Sequence, residues 1–288
     1  MTRICSLLPS ATEIVADLGL AGELVGRSEE CDWPEDVRSL PVVTAARIDT
    51  AALSSLEIDD AVRSAVAEGR SLYAVDEELI ESLRPDVIIT QDLCEVCAVS
   101  SGELRGLSSL GAEVISLDPR TIDGIAESVA RLARRLGVPE QGDAVVDELR
   151  ATIGEVRAAV VGAPRRRVFV AEWLDPPYAA GHWVPEMVSI AGGEDVLGRA
   201  GEPSYRTSWA DALARKPELV VLAPCGLDAE QAARASADLD LRCRAIAVDA
   251  LAYYSRPAPR IAGGIRQLAF LLHPERAPDP GLPWLEVG

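Results

Sequence analysis

Aromatic side chains are scarce: five Trp, five Tyr and two Phe make up only 4% of 288 residues. Histidine is scarcer, with His182 and His273 alone, and lysine occurs once, at Lys216. Two histidines far apart in sequence leave no material for a histidine-rich metal centre, and one histidine in any given loop supports no catalytic dyad. Basic residues total 28 against 46 acidic ones, a net charge of −18. That imbalance excludes a nucleic-acid partner, because phosphate backbones are held by clustered Lys and Arg. It also opposes an anionic membrane surface. No stretch approaches the roughly 18 apolar residues of a membrane span, so no membrane insertion is expected. Also missing are G-x-G-x-x-G after a strand, a phosphate loop, a G-x-S-x-G elbow and H-E-x-x-H. Enzyme signatures are therefore absent from the sequence, and a non-catalytic role is expected.

The opening MTRICSLLPSATEIVADLGL has an apolar run from Ile4 to Leu8 that stops at Pro9. A secretory signal wants a longer apolar segment and a small-residue cleavage site, so the run reads as a first strand and the expected location is the cytoplasm. Cysteines stay reduced there, which makes the six cysteines thiols or metal ligands rather than a disulfide framework.

What is present is an alternation of short apolar runs and helical periods. Ile4–Leu8, Asp86–Thr90 and Glu113–Leu117 read as strands in the first part, with helices over 11–20, 51–69 and 76–83. Ser10 and Glu13 have the spacing of a capping box. Ile122–Leu136 and Glu140–Val161 both carry a helical period, separated by Gly137-Val138-Pro139. The second helix would be about 33 Å long at about 1.5 Å per residue. The alternation then restarts with strands at 168–171, 218–223 and 245–248 and helices at 229–237 and 260–272. The Pro-rich end, APDPGLPWLEVG, reads as irregular. The expected architecture is α/β, with two Rossmann-like lobes of parallel sheet joined by one long helix. The expected boundaries are 1–120 for the first lobe, 121–163 for a helical segment containing the bridge at about 140–161, and 164–288 for the second lobe.

Six of the twelve rings fall between Phe169 and Trp209, and Tyr253 and Tyr254 add two more. Several sit in Gly/Pro-rich loops after expected strands, where open parallel sheets bind ligands. Such rings and prolines suit a large planar or apolar ligand, or else the packing of loops against one another. Arg256 and Arg260 flank Pro257 and Pro259 in SRPAPR and offer planar forks for polar ligand groups, or partners for a nearby Asp at a helix start. Cys94 and Cys97 form CEVC after the strand DVIIT. This pair reads as a redox couple, half of a metal site or two buried thiols, and Cys31, Glu172 or His182 could complete a site only through the fold. A metal-handling or redox protein is thus a second reading.

SLLPSATEI, the CDWP loop, LRPDVIITQ, DPPY followed by AGGEDVLG, and SRPAPR occur in this order over roughly residues 3–273. As a set they resemble the cobalamin-binding substrate-binding proteins of ABC importers, the helical-backbone class III. The resemblance implies a corrinoid such as cobalamin held between two lobes, with no other cofactor required. It carries Pro9, Ser10 and Trp33 to the ligand from the first lobe, and Pro177, Tyr178, Tyr253, Tyr254, Arg256 and Arg260 from the second. Aromatic clustering adds Trp173, His182, Trp183, Tyr205 and Trp209 as ligand-binding candidates. Two departures stand out. Family members that deliver ligand to a permease are exported and carry a docking glutamate on each lobe, whereas Pro41 and Ala210 (beside Asp211) align with those positions. Docking to a permease is therefore expected to be weak, unless the chain is an exported importer component whose start has been placed too late. CEVC and the segment around 51–75 resemble features of a signal-less, cytosolic branch.

Overall fold

The computed structural model describes residues 1–50, 53–68, 70–91 and 111–287. Cys94 and Cys97 lie outside the described residues. The chain divides into two compact units, one of residues 1–119 and 126–146, the other of 120–125 and 147–288.

Among the described residues the first unit holds a six-stranded sheet. Its strands are β1 (Ile4–Ser6), β2 (Leu24–Ser28), β3 (Val42–Ala46), β4 (Tyr73–Val75), β5 (Val87–Thr90) and β6 (Glu113–Ser116), in the spatial order β4-β3-β2-β1-β5-β6. All pairs are parallel except β3 with β4. The apolar run at β5 is buried at every residue, as expected for a central parallel strand covered on both faces. Helices α1 (Pro9–Asp17), α2 (Ser55–Ala67) and α3 (Glu77–Leu83) are joined to these strands by short loops. Cys5, Leu7, Val43, Ile80 and Ile88 form a core between the sheet and α3. The Cys5 thiol is pushed up to about 12 by burial, with Cys31 adding to the effect, so it is an inert apolar filler there.

Ser10 does not cap α1. The helix begins one residue earlier, at Pro9, with Leu8 as the N-cap and no side-chain cap bond. Proline suits this first position, because its fixed φ fits a helix and its missing N–H would have no intrahelical partner. The capping box in this unit is instead at α2, between Ser54 and Glu57.

Two helices follow, α4 (Ile122–Arg135) and α5 (Pro139–Ala159). Gly137, at φ +77°, makes the left-handed turn between them, and Pro139 starts the second. Gly142 allows a close approach, since a Cβ there would lie 2.3 Å from the Ala133 Cβ. The 21-residue α5 is the long helix expected from the periodicity and joins the two units: its residues up to Val146 belong to the first and those from Asp147 to the second.

The second unit holds seven strands: β7 (Arg166–Leu174), β8 (Pro177–Ala179), β9 (Gly193–Asp195), β10 (Tyr205–Arg206), β11 (Leu219–Leu222), β12 (Arg244–Val248) and β13 (Trp284–Val287). The order is β10-β8-β7-β11-β12-β13, with β9 also pairing β7. β7, β11 and β12 are parallel, while β8, β10 and β13 run antiparallel to their neighbours. Helices α6 (Val184–Ile190), α7 (Trp209–Ala214), α8 (Ala229–Ala235), α9 (Ala250–Tyr253) and α10 (Ile261–Leu272) accompany them. Phe169, Ala171, Val220, Leu222, Ala245 and Ala247 centre the main core on the three parallel strands.

The Pro-rich end is not irregular throughout. After Pro283, residues 284–287 form β13 and pair with β12 from Val248↔Trp284 to Ala245↔Val287. His273 is fully buried and close to the Gly192 carbonyl at 3.3 Å, so it locks the end of α10 onto the turn before β9. No helix among the described residues is long and apolar enough to cross a membrane.

Candidate functional site

In each unit the candidate residues gather where the parallel strands end. In the first unit β1 runs into Pro9 and Ser10, and β2 runs into the loop that carries Trp33. Pro9 is half-buried and Ser10 is buried, whereas Trp33 is 46% exposed, the largest ring offered to solvent in this unit. These two segments are tied together. Thr12 in α1 donates through its hydroxyl to Ser6 Oγ at 2.8 Å and has Cys31 Sγ at 3.0 Å. Thr44 donates to Ser28 Oγ at 2.9 Å. Buried hydroxyls thus tie these strand ends together.

In the second unit, the turn Asp175-Pro176 folds β8 back on β7 and sets Tyr178 opposite Trp173. Cross-strand aromatic pairs of this kind stabilise a sheet. Both rings are half-buried, while Pro177 beside them is buried. A third half-buried ring, Tyr253, is the last residue of α9, after β12, and has the Arg260 guanidinium 5.0 Å from its centroid. Gly263 and Gly264 permit this arrangement. A Cβ at 264 would sit 2.4 Å from the Tyr253 carbonyl oxygen, so only glycine lets α10 pass there.

Asp249, at the end of β12, caps α9 by accepting the Ala252 N–H at 2.9 Å. Burial pushes its carboxyl up and Asp228 adds to this, while the Ala252 bond and then Arg260 and Arg256 act in the opposite sense. Both arginines therefore lie within electrostatic reach of this carboxyl. Arg256 is buried and Arg260 is half-buried.

Four other candidate rings make hydrogen bonds within the unit, Trp183 and Tyr254 buried, Tyr205 and Trp209 half-buried. Trp183 is buried, and its indole N–H donates to the Tyr254 carbonyl at 2.8 Å. Tyr254 is also buried and donates through its hydroxyl to Gln267 Oε1 at 2.9 Å; burial and the nearby Asp249 push its phenol well above the ordinary value. Trp209 meets Phe169 edge-on at 5.8 Å and donates to the Leu174 carbonyl. Tyr205 bonds the Leu197 carbonyl at 2.9 Å, with the Arg199 guanidinium 4.1 Å from its ring centroid. The sequence identifies all of them as scarce rings, but ring count alone does not separate a ring that builds a loop from one that faces outward.

His182 is half-buried at a left-handed φ of +48°. Its N–H donates to Glu202 at 2.6 Å and its carbonyl accepts from Gly201 at 2.8 Å, which clamps the residue between two strands of loop. Burial first, and Arg120 second, lower its pKa, so the imidazole is neutral at pH 7. The adjoining Gly181 carries the same loop so closely that a Cβ would lie 2.3 Å from the Ser204 nitrogen.

Glu172 is the residue that sequence reasoning weighed only as a distant metal ligand. On β7 between Ala171 and Trp173, its enclosed carboxyl accepts the Gly181 N–H at 3.1 Å. Burial pushes it up to about 8, against the Gly181 and Ser204 hydrogen bonds and with Cys225 and Asp195 adding to the rise. Asp195 is likewise pushed up to about 6 by burial. Glu172 is therefore a buried hydrogen-bonding post that holds the Gly181 backbone. Among the described residues no group of three or more His, Cys, Asp or Glu side chains is placed to hold a metal ion.

Comparison with known proteins fits this architecture. A vitamin B12-binding protein of Yersinia pestis is 27% identical over 226 residues, which is 76% of this chain and 69% of that protein. The periplasmic vitamin B12 binding protein of Vibrio cholerae superposes with a TM-score of 0.67 at 24% identity, over 94% of this chain and 96% of that one. A periplasmic heme-binding protein from Roseiflexus superposes with a TM-score of 0.69 at 20% identity, over 95% and 98% of the two chains. A family model described as periplasmic binding protein matches residues 4–240. With two parallel-sheet units, one long joining helix and a match over most of its length, the chain belongs to the periplasmic binding protein family and is a non-catalytic binding protein.

Proposed function

We propose that this chain binds a corrinoid, or a closely similar large tetrapyrrole, at the carboxyl edges of its two sheets. The observation that carries the reading is the placement of rings. In a chain with twelve of them, Trp33, Trp173, Tyr178 and Tyr253 lie half-buried or exposed beside those edges. Flat aromatic faces and prolines suit a macrocycle, and Arg256 and Arg260 suit the polar groups at its rim. The names of the relatives, vitamin B12-binding and heme-binding, support the same ligand class.

Titration with hydroxocobalamin, followed by the visible spectrum and by calorimetry, tests it. The expected result is saturable one-to-one binding, weakened about tenfold or more by Trp173→Ala or Tyr253→Ala, as for central aromatic anchors. Absence of binding up to about 100 μM, equivalent to about −5.5 kcal/mol, overturns the corrinoid reading. A parallel titration with hemin separates the two tetrapyrrole classes.

The proposal extends to location. The chain acts in the cytoplasm and does not deliver its ligand to a permease. Exposed Pro41 and Ala210 support this, because a rim glutamate at such positions would supply steering and register toward a permease arginine. Fractionation of producing cells should recover the protein with a cytoplasmic marker; recovery outside the inner membrane would defeat this part of the proposal.

A further inference from the structure

We infer that Arg27 is the positioning residue for Trp33: a buried guanidinium that holds both ends of the Trp33 loop and so fixes the ring as a ligand wall. The inference rests on the binding function proposed above. Arg27 lies in β2 and is only 9% exposed, an unusual placement for a cation. Its Nη1 donates to the Ser28 carbonyl at 2.9 Å and to the Glu29 carbonyl at 3.2 Å, on the outgoing side of the loop. Its Nη2 donates to the Arg38 carbonyl at 3.0 Å, on the returning side. Its own backbone N–H donates to the Pro41 carbonyl at 2.9 Å, where the chain re-enters the sheet. One side chain thus spans the neck of a loop running from Ser28 to Arg38, with Trp33 midway.

Carbonyls held this way fasten the two ends of a loop whose returning side is a short 3-10 helix, Glu35–Ser39. A guanidinium is the side chain suited to the task, because its planar fork presents several donors at fixed angles. Three further contacts brace the same loop. Thr12 Oγ1 lies 3.0 Å from Cys31 Sγ, Arg38 Nε donates to the Asp32 carbonyl at 3.3 Å, and the Glu29 carboxylate accepts the Ala46 N–H. The neck, the middle and the outer edge are each fastened, while the indole stays 46% exposed. An exposed ring on a fastened loop is what a preformed ligand wall requires, since ordering done in advance is not charged against binding.

Two measurements on the whole chain test this. With fluorotryptophan incorporated, ¹⁹F NMR gives one resonance for each of the five Trp residues, and Trp33→Phe assigns the one from Trp33. Arg27→Met should broaden or split the Trp33 resonance and leave the other four in place. In a double-mutant cycle with hydroxocobalamin as the probe, Arg27→Met should weaken binding about fivefold with Trp33 present and less than about twofold in the Trp33→Ala background. If Arg27→Met does not fold, Arg27→Lys carries the same comparisons, because an ammonium keeps the charge but cannot span the neck. An unchanged Trp33 resonance overturns the inference, and so does an equal loss of affinity in both backgrounds. If the wild-type chain does not bind hydroxocobalamin, the ligand reading fails, and the Trp33 resonance still decides the role of Arg27.

Discussion

Trp183→Ala should cost the second unit about 4 kcal/mol, the range of a buried large aromatic reduced to alanine. The indole is almost wholly enclosed, and its N–H is the partner of the Tyr254 carbonyl. From there the chain of bonds continues: Tyr254 to Gln267, and Gln267 Nε2 to the Pro283 carbonyl at 3.1 Å. Removing the indole opens a cavity and orphans the first carbonyl in that chain. Trp183→Phe should cost about 1–3 kcal/mol, since it keeps much of the packing and loses mainly the hydrogen bond. Urea unfolding gives both values, and hydroxocobalamin affinity of the folded Phe variant should match wild type. A Trp183→Ala protein of unchanged stability that no longer binds would place the indole against the ligand instead.

The second large effect is a pH dependence. Glu172 titrates at about 8 in the folded chain against an ordinary value of 4.5, because burial disfavours its charged form. Between these values the unfolded chain has released the proton and the folded chain still holds it. Stability is therefore greatest below about pH 4.5 as far as this group is concerned. It falls as pH rises toward about 8 by up to about 1.4 kcal/mol per unit, then levels off once both states are ionised. Asp195 contributes in the same sense between its ordinary 3.8 and about 6. Glu172→Gln should remove most of the slope from pH 6 to 8 and stabilise the protein at neutral pH, since an amide still accepts the Gly181 N–H without a charge to ionise. Denaturant midpoints measured across that range check this; an unaltered slope in the Gln variant would assign the linkage to another group.

Much of the frame was legible in the sequence because it depends on local pattern. The buried strand β5 shows as an apolar run between charged residues, and α5 shows as a helical period bounded by Pro139 and the Gly162-Ala163-Pro164 break. Elements that depend on a partner strand were not. β8 contains a proline and is three residues long, and β10 has two residues; β8 exists because β7 offers an edge, and β10 because β8 offers the next one. β13 hides behind four prolines, and only its pairing with β12 makes WLEV a strand. The same distinction governs the site. Rarity points to the rings, but Trp183 is buried and Trp173 half-buried, and the carbonyl that Trp183 donates to lies 71 residues away. Glu172 and Arg27 look like ordinary surface charges until the fold encloses them.

The division of the chain has a consequence for anyone wishing to work with one unit alone. Residues 120–125 belong to the second unit although the first unit resumes after them, at Ala126. They are not idle there, because the Ile122 N–H donates to the Glu186 carboxylate at 2.8 Å. Neither unit is thus a single uninterrupted stretch, and no one cleavage point separates them with their segments intact. A truncation ending at 119 or starting at 147 deprives one of the pieces of part of itself, so a faithful excision needs a rearranged reading order rather than a cut.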